Sequence, residues 1–453
     1  MSDRAPSGSL PLLHARGDLR HRDALALALL AALGVLLAYA APPPLNLVVF
    51  AFLGVTILGA LVWTWPLTMA CGLPALIALP QLGPVFAFEI MLLVIAGVIL
   101  AHGLWARRDW VWRLRPLEVA VAAMLLWGVI TVFWCGSPWW WAAGIRRLVV
   151  GLVALWTAYR LGSVYRARWL ALGIIAAAIA LALAALQRGT STDWIALTSS
   201  HGRREGTDLG WGGSNYIGAL LLLTVPTALD LALRAPRRAT RVLGWLILPL
   251  VVAVMAWAAS RGGALLVVMA TLLFVFRERL GARSVALIGA IVLCFVALLA
   301  GPGAQLLWRF TDPGQIGSVV VRLVFFQEGW RRLVEHFPIG LGLGQGFVQL
   351  DRLAEADPHN YLLVVGSELG LPGLLLWGLI IALIWRQVRE LAKMPAVRAG
   401  AEALRFTLIV AVVNSLYEPT FTGLHYLFLF YWIVGAYLGS LSAAGATDLP
   451  RAT

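Results

Sequence analysis

Residues 360–384 read NYLLVVGSELGLPGLLLWGLIIALI. Crossing the hydrocarbon of a bilayer takes about 20 predominantly apolar residues in a helix, and this run carries one charge, Glu368. Working outward, runs of the same kind recur at about 24–41, 45–62, 66–82, 85–103, 117–134, 145–161, 168–187, 214–233, 242–259, 262–276, 284–301, 404–417 and 423–442. The fold class this predicts is all-α, a polytopic integral membrane protein with about 12–14 transmembrane helices. Pro66 and Pro74 make the third run short and breakable, so that it and the second can form a re-entrant pair. The chain is 61% hydrophobic and 13% charged, whereas soluble domains carry about 25% charged residues.

The runs divide the chain. Residues 1–23 are a polar, arginine-bearing segment expected on the cytoplasmic side, leading into an uncleaved anchor. Residues 24–301 are transmembrane helices with short loops and one longer loop at 188–213. Residues 302–359 form a large loop, residues 360–442 a second helical block, and residues 443–453 a tail expected to be disordered.

The formal charge is +13, but the basic residues cluster in short loops between spans, so no nucleic-acid partner is implied. Lys393 is the only lysine, which excludes a P-loop. Cys71, Cys135 and Cys294 lie in or beside spans, with neither disulfide nor zinc spacing. Arginines in alternate connections (Arg107 and Arg108, Arg166 and Arg168, Arg237 and Arg238, Arg277 and Arg279, Arg386 and Arg389) share one side with the N-terminal arginines. By the positive-inside rule that side is cytoplasmic and holds both termini. The opposite side carries an aromatic belt at Trp139, Trp140 and Trp141, and arginines that topology does not explain: Arg203, Arg204, Arg261, Arg309, Arg322, Arg331, Arg332 and Arg352.

Four stretches on that second side carry candidate chemistry. Ser260-Arg261-Gly262-Gly263 is a tight turn at membrane depth, where a guanidinium either grips phosphate oxygens or ends a helix and snorkels. His201-Gly202-Arg203-Arg204-Glu205-Gly206 precedes Ser214 and Asn215, either of which would cap the next helix; the arginines suit an anion or solvated charge. Residues 319–337, VVVRLVFFQEGWRRLVEHF, predict a helix with Val319, Leu323, Phe326, Trp330, Leu333, Val334 and Phe337 on one apolar stripe. Glu328, Arg331, Arg332 and Glu335 lie opposite, and Arg322 sits at the flank of the stripe, which calls for an anionic partner or a route to water. Then Pro338–Phe347 alternates glycine, which lets backbone approach a ligand or a helix closely. It leads to Asp357-Pro358-His359-Asn360-Tyr361 and, two turns on, Glu368. A histidine near neutral pKa can take a proton from a hydroxyl. Asp351, Glu355, Asp357 and His359 also admit a hard-metal reading, against which a solvated acidic loop is preferred.

Together these residues resemble the O-antigen ligase and polymerase superfamily of bacterial envelope enzymes. Arg203-Arg204-Glu205-Gly206 with Asn215, Ser260-Arg261-Gly262, Arg322 with Pro338, Gly340, Gly342 and Phe347, and His359-Asn360-Tyr361 with Glu368, Gly370 and Gly373 match the family's motifs in order over about 190–375. The gap from Gly206 to Asn215 is longer than usual, and Ser214 stands where the family has proline. The resemblance implies a family-C-like membrane glycosyltransferase of the inner membrane that takes a glycan from undecaprenyl diphosphate at the periplasmic face. His359 would be the general base, and Arg203, Arg261 and Arg322 would bind the diphosphate. Arg204, Asn215, Ser260, Asn360 and Glu368 would support them, with no metal and no cofactor. The first expectation is O-antigen ligation to lipid A–core in lipopolysaccharide biosynthesis, the second a polymerase that extends a growing glycan by the same chemistry. A protein O-oligosaccharyltransferase ranks third, because the chain lacks a long C-terminal extension. From another class stands a lipid-linked glycan flippase or transporter, which would need polar residues through several spans.

Overall fold

The computed structural model describes residues 66–79, 81–82, 85–105, 114–165, 167–190, 214–257, 316–346, 348–350, 354–356 and 358–447. The expected spans at 24–41, 45–62, 262–276 and 284–301 lie outside them. The chain is mostly helical, and among the described residues seven helices are long and apolar enough to cross a membrane, the architecture of an all-α polytopic membrane protein.

The first described helix, α1 (Pro66–Gly72), passes into a 3-10 segment (Leu73–Ala78). A minimal hairpin of β1 (Gln81–Leu82) and β2 (Val85–Phe86) follows. The expected third span is thus broken where Pro74 denies the helix a donor. Next come α2 (Ala87–Trp105), α3 (Pro116–Ile130, continued by a 3-10 turn to Phe133), α4 (Pro138–Val164) and α5 (Ala167–Thr190). They are followed by α6 (Ser214–Arg234) and α7 (Arg238–Trp257). In the long loop α8 (Ile316–Glu335) precedes a hairpin of β3 (Val348–Leu350) and β4 (Ala354–Ala356). The chain closes with α9 (Tyr361–Leu391), α10 (Arg398–Ser415) and α11 (Leu424–Thr447). Expected spans at 360–384 and 423–442 fall on α9 and α11; α10 starts before the expected 404–417.

The centre is α6 and α11, each buried over 83% of its apolar span, against 28% for α2. Sequence explains the tightest contact, between α11 and α4. Gly435 and Gly439 stand one turn apart on α11, facing Ala158 and Gly162 of α4. A Cβ on Gly439 would lie 2.2 Å from the Tyr159 carbonyl oxygen, and one on Gly162 would lie 2.5 Å from that of Ala436. Small residues at this spacing let backbones touch where lipid offers no hydrophobic drive.

Helix α9 is broken by its own sequence. Gly370 has φ 63 and Pro372 lacks an N–H. Three carbonyls thereby lose their usual partners, and each finds another: Ser367 accepts from Leu341 N (2.7 Å), Glu368 from Gly342 N (2.8 Å) and Leu369 from Trp127 Nε1 (2.8 Å). The Leu371 N–H turns to the Pro338 carbonyl at 2.7 Å. The alternating glycine run therefore docks on a helix. Gly340, Gly342 and Gly344 all have positive φ, and a Cβ on Gly340 would sit 2.5 Å from the Glu368 carbonyl oxygen.

Candidate functional site

Three expected site residues meet at one that the sequence reading did not name. Glu418 lies in the short connection between α10 and α11. Its Oε1 accepts from Arg322 Nη2 at 2.6 Å and from Asn215 Nδ2 at 3.0 Å, and its Oε2 lies 3.5 Å from His359 Nδ1. The carboxylate side chain is 12% exposed, His359 27% and Arg322 40%, so the cluster is open on the arginine side. These partners come from α6, α8 and the start of α9, which are remote in sequence.

Each is placed by local chemistry. Asn360 caps α9, its Oδ1 accepting from Leu362 N (2.9 Å) and Leu363 N (3.2 Å), while its Nδ2 donates to the Leu416 carbonyl at 3.0 Å. One amide thus ties the helix start to the Glu418 connection. Immediately before it, His359 adopts φ 53, a conformation that non-glycine residues rarely take. Its ring stands edge-on to Phe325, 5.9 Å between centroids. Asn215 lies within the first turn of α6 rather than capping it, which frees its amide to reach Glu418.

Helix α8 exists where the periodicity predicts it, with its apolar stripe turned outward. The apolar stripe is largely exposed at Leu323, Phe326, Trp330, Val334 and Phe337. Phe325 is buried, and Gly329 seats against Pro358, which a Cβ there would approach to 2.7 Å. A glycine and one aromatic beside a guanidinium with a carboxylate to meet decide the contact face, and the larger apolar stripe points away from the protein. Opposite charges on α8 neutralise each other: Glu328 accepts from Arg331 and Arg332, and Arg331 also reaches Glu335. Arg331, first, and Arg332 hold the Glu328 carboxyl down to about 2.

Glu368 serves a different place. Its Oε1 accepts from Gly346 N at 2.9 Å, and the side chain is buried. Eight residues of helix separate it from Asn360, about 12 Å at 1.5 Å per residue, so it orders the glycine run. Arg203, Arg204, Ser260 and Arg261 lie outside the described residues, as do Asp351 and Asp357 of the metal reading.

Besides Glu418, a second group escaped the sequence reading. Arg147, two turns into α4, donates to the Thr422 carbonyl in the same connection as Glu418. Neither follows a pattern in the sequence: Arg147 lies inside an expected apolar span, and Glu418 is a single acid in a short connection.

No family model matches the chain, and no curated protein matches its sequence.

Proposed function

We propose that this chain is a membrane glycosyltransferase that moves a glycan from a polyprenyl diphosphate to an acceptor hydroxyl at the face carrying Glu418, with O-antigen ligation as the preferred reaction. The observation that carries the reading is the convergence of a guanidinium, an amide and an imidazole on one carboxylate, in a cluster open on the guanidinium side. Such an arrangement suits a diphosphate because its present anion occupies only part of the guanidinium's donor set.

In this reading Glu418 is a placeholder. The donor's diphosphate takes Arg322 from it, joined by Arg203 and Arg261 as the family resemblance implies. Glu418 then turns to His359 and accepts from the ring's Nδ1–H, which leaves the Nε2 lone pair to take a proton. Nε2 takes the acceptor proton as the hydroxyl oxygen bonds to the anomeric carbon from the face opposite the diphosphate. The carbon–oxygen bond to the diphosphate breaks, the anomeric centre inverts, and the polyprenyl diphosphate leaves with its charge met by the arginines. The imidazolium returns its proton to solvent. By this reading the Glu418 face is periplasmic and both termini are cytoplasmic.

The test is His359→Ala in proteoliposomes supplied with lipid-linked donor and acceptor. Transfer should vanish while the protein inserts and melts as wild type does; wild-type product would end the general-base role. In a null strain, full-length polymer left on its lipid carrier indicates a ligase, and single repeats left there indicate a polymerase.

A further inference from the structure

We infer that the arginine-rich end of the molecule carries a second binding site, for the phosphate headgroup of an anionic phospholipid. A cavity of about 250 Å³ opens there between the end of α6, the start of α7, the α9–α10 connection and the last turns of α11. It stands at the far end of α6 from Asn215, some 30 Å away along the helix at 1.5 Å per residue, so it is separate from the Glu418 cluster and independent of the reaction proposed for it.

Its lining divides by chemistry. Leu172, Leu231 and Leu441 give it an apolar wall, and Asp230, Arg234, Arg237, Thr240 and Tyr437 a polar one. Arg234 is committed to structure: Nη1 donates to Asp230 Oδ1 at 2.9 Å and to the Ala399 carbonyl at 3.0 Å. That pair is locally neutral, so the net charge of the lining comes from Arg237. The Arg237 side chain is exposed and makes no hydrogen bond or ion pair with any described residue.

Backbone adds to the same sign. Helix α10 begins after Val397, which supplies no side-chain cap, and its first helical bond is Ala401 N to Val397 O at 3.1 Å. The N–H groups of Ala399 and Gly400 precede that bond, and both residues line the cavity. Helix α7 begins alike, with Arg241 N to Arg237 O at 3.1 Å, and Thr240 lines the cavity from its first turn. First-turn residues of two helices and Arg237 thus line the same space as the leucines, at the positive ends of those helices. The position, at the ends of spanning helices, is where a headgroup would sit with its glycerol and first methylenes on the apolar wall. A soluble phosphate compound would meet the same cations and leave that wall unused. Bound there, a lipid would join α6 and α7 to α10 and α11.

The full chain in neutral detergent is titrated with short-chain phosphatidylglycerol, phosphatidylcholine or glycerol 3-phosphate, reading the melting temperature. A saturable rise with phosphatidylglycerol alone is expected, its midpoint weakened by about tenfold or more in Arg237→Glu, the loss of one strong charged contact. Unliganded Arg237→Glu should melt as wild type does, since the side chain is exposed. An equal rise with phosphatidylcholine, or an unchanged midpoint in the variant, overturns the site. The same rise with glycerol 3-phosphate overturns the lipid in favour of a soluble ligand.

Discussion

Two guanidinium–carboxylate clusters stand at opposite ends of the bundle, and they differ in access. At the arginine-rich end, Arg160 Nη2 lies 3.5 Å from Glu118 Oε2, with the side chains 3% and 2% exposed. Arg115 covers the Tyr159 ring at 3.3 Å and donates its backbone N–H to Glu118 at 2.9 Å. At the other end Glu418 holds Arg322 at 2.6 Å, but the guanidinium is 40% exposed and the acid has an amide and an imidazole as further neighbours. The closed cluster joins α3 to α4 and has no route for a ligand. Only the open one can trade partners. Charge alone does not mark a site inside a membrane protein; charge with a way out does.

The largest expected effect falls on the closed cluster. Arg160→Ala strands Glu118 and should cost about 3–5 kcal/mol, read as a lower melting temperature in detergent. Replacing both partners by leucine should recover most of that loss. Wild-type melting of the single variant would show that the closed pair is not structural. Next, Glu418→Gln should lower transfer by about 100-fold, the low end of general acid–base effects, and shift stability by about 1 kcal/mol or less, because the released Arg322 can reach water. A variant that melts early instead would make Glu418 another Glu118.

Gly370→Ala tests what the glycine run does. The residue has φ 63, and a Cβ there would lie 2.1 Å from the Pro338 carbonyl oxygen. Backbone strain alone should cost about 1–3 kcal/mol, with transfer falling only as folded protein is lost. Loss of transfer at full stability would instead make the run a ligand loop.

The sequence showed much of this, unevenly. Apolar runs located α9 and α11, because hydrocarbon thickness sets their length. Alternating glycines announced a close backbone approach but not its object, since the break at Gly370 that receives them is visible only once the orphaned carbonyls are traced. Arg322, Asn215 and His359 were legible as residue types at loop positions. Glu418, which gathers them, was not, because one acid in a short connection has no pattern. The facing of α8 was not legible for a related reason: periodicity reports which side is apolar, and Gly329 and Phe325 decide which side touches protein. Gly435 and Gly439 were read only as part of an apolar run, although their spacing carried the closest helix contact.

A third cluster, most open at Arg331, carries the smallest effect. Glu328 on α8 accepts from Arg331 at 2.6 and 2.8 Å and from Arg332 at 3.0 Å, with the Arg331 side chain 56% exposed. Its carboxyl is held at about 2, below the roughly 4.3 of a free glutamate. The folded value is the lower one, so the stabilisation is fully present above the unfolded value and fades as pH falls through 4 towards 2. Since surface pairs contribute little, Glu328→Gln should leave the melting temperature and transfer at neutral pH unchanged. The sensitive readout is Trp330 on the same helix, its emission isolated by subtracting a Trp330→Phe variant. In wild type that emission should change in the acid window, and in Glu328→Gln it should stay flat. If Glu328→Gln abolished transfer at neutral pH, exposure would no longer separate a solvated charge network from a working one.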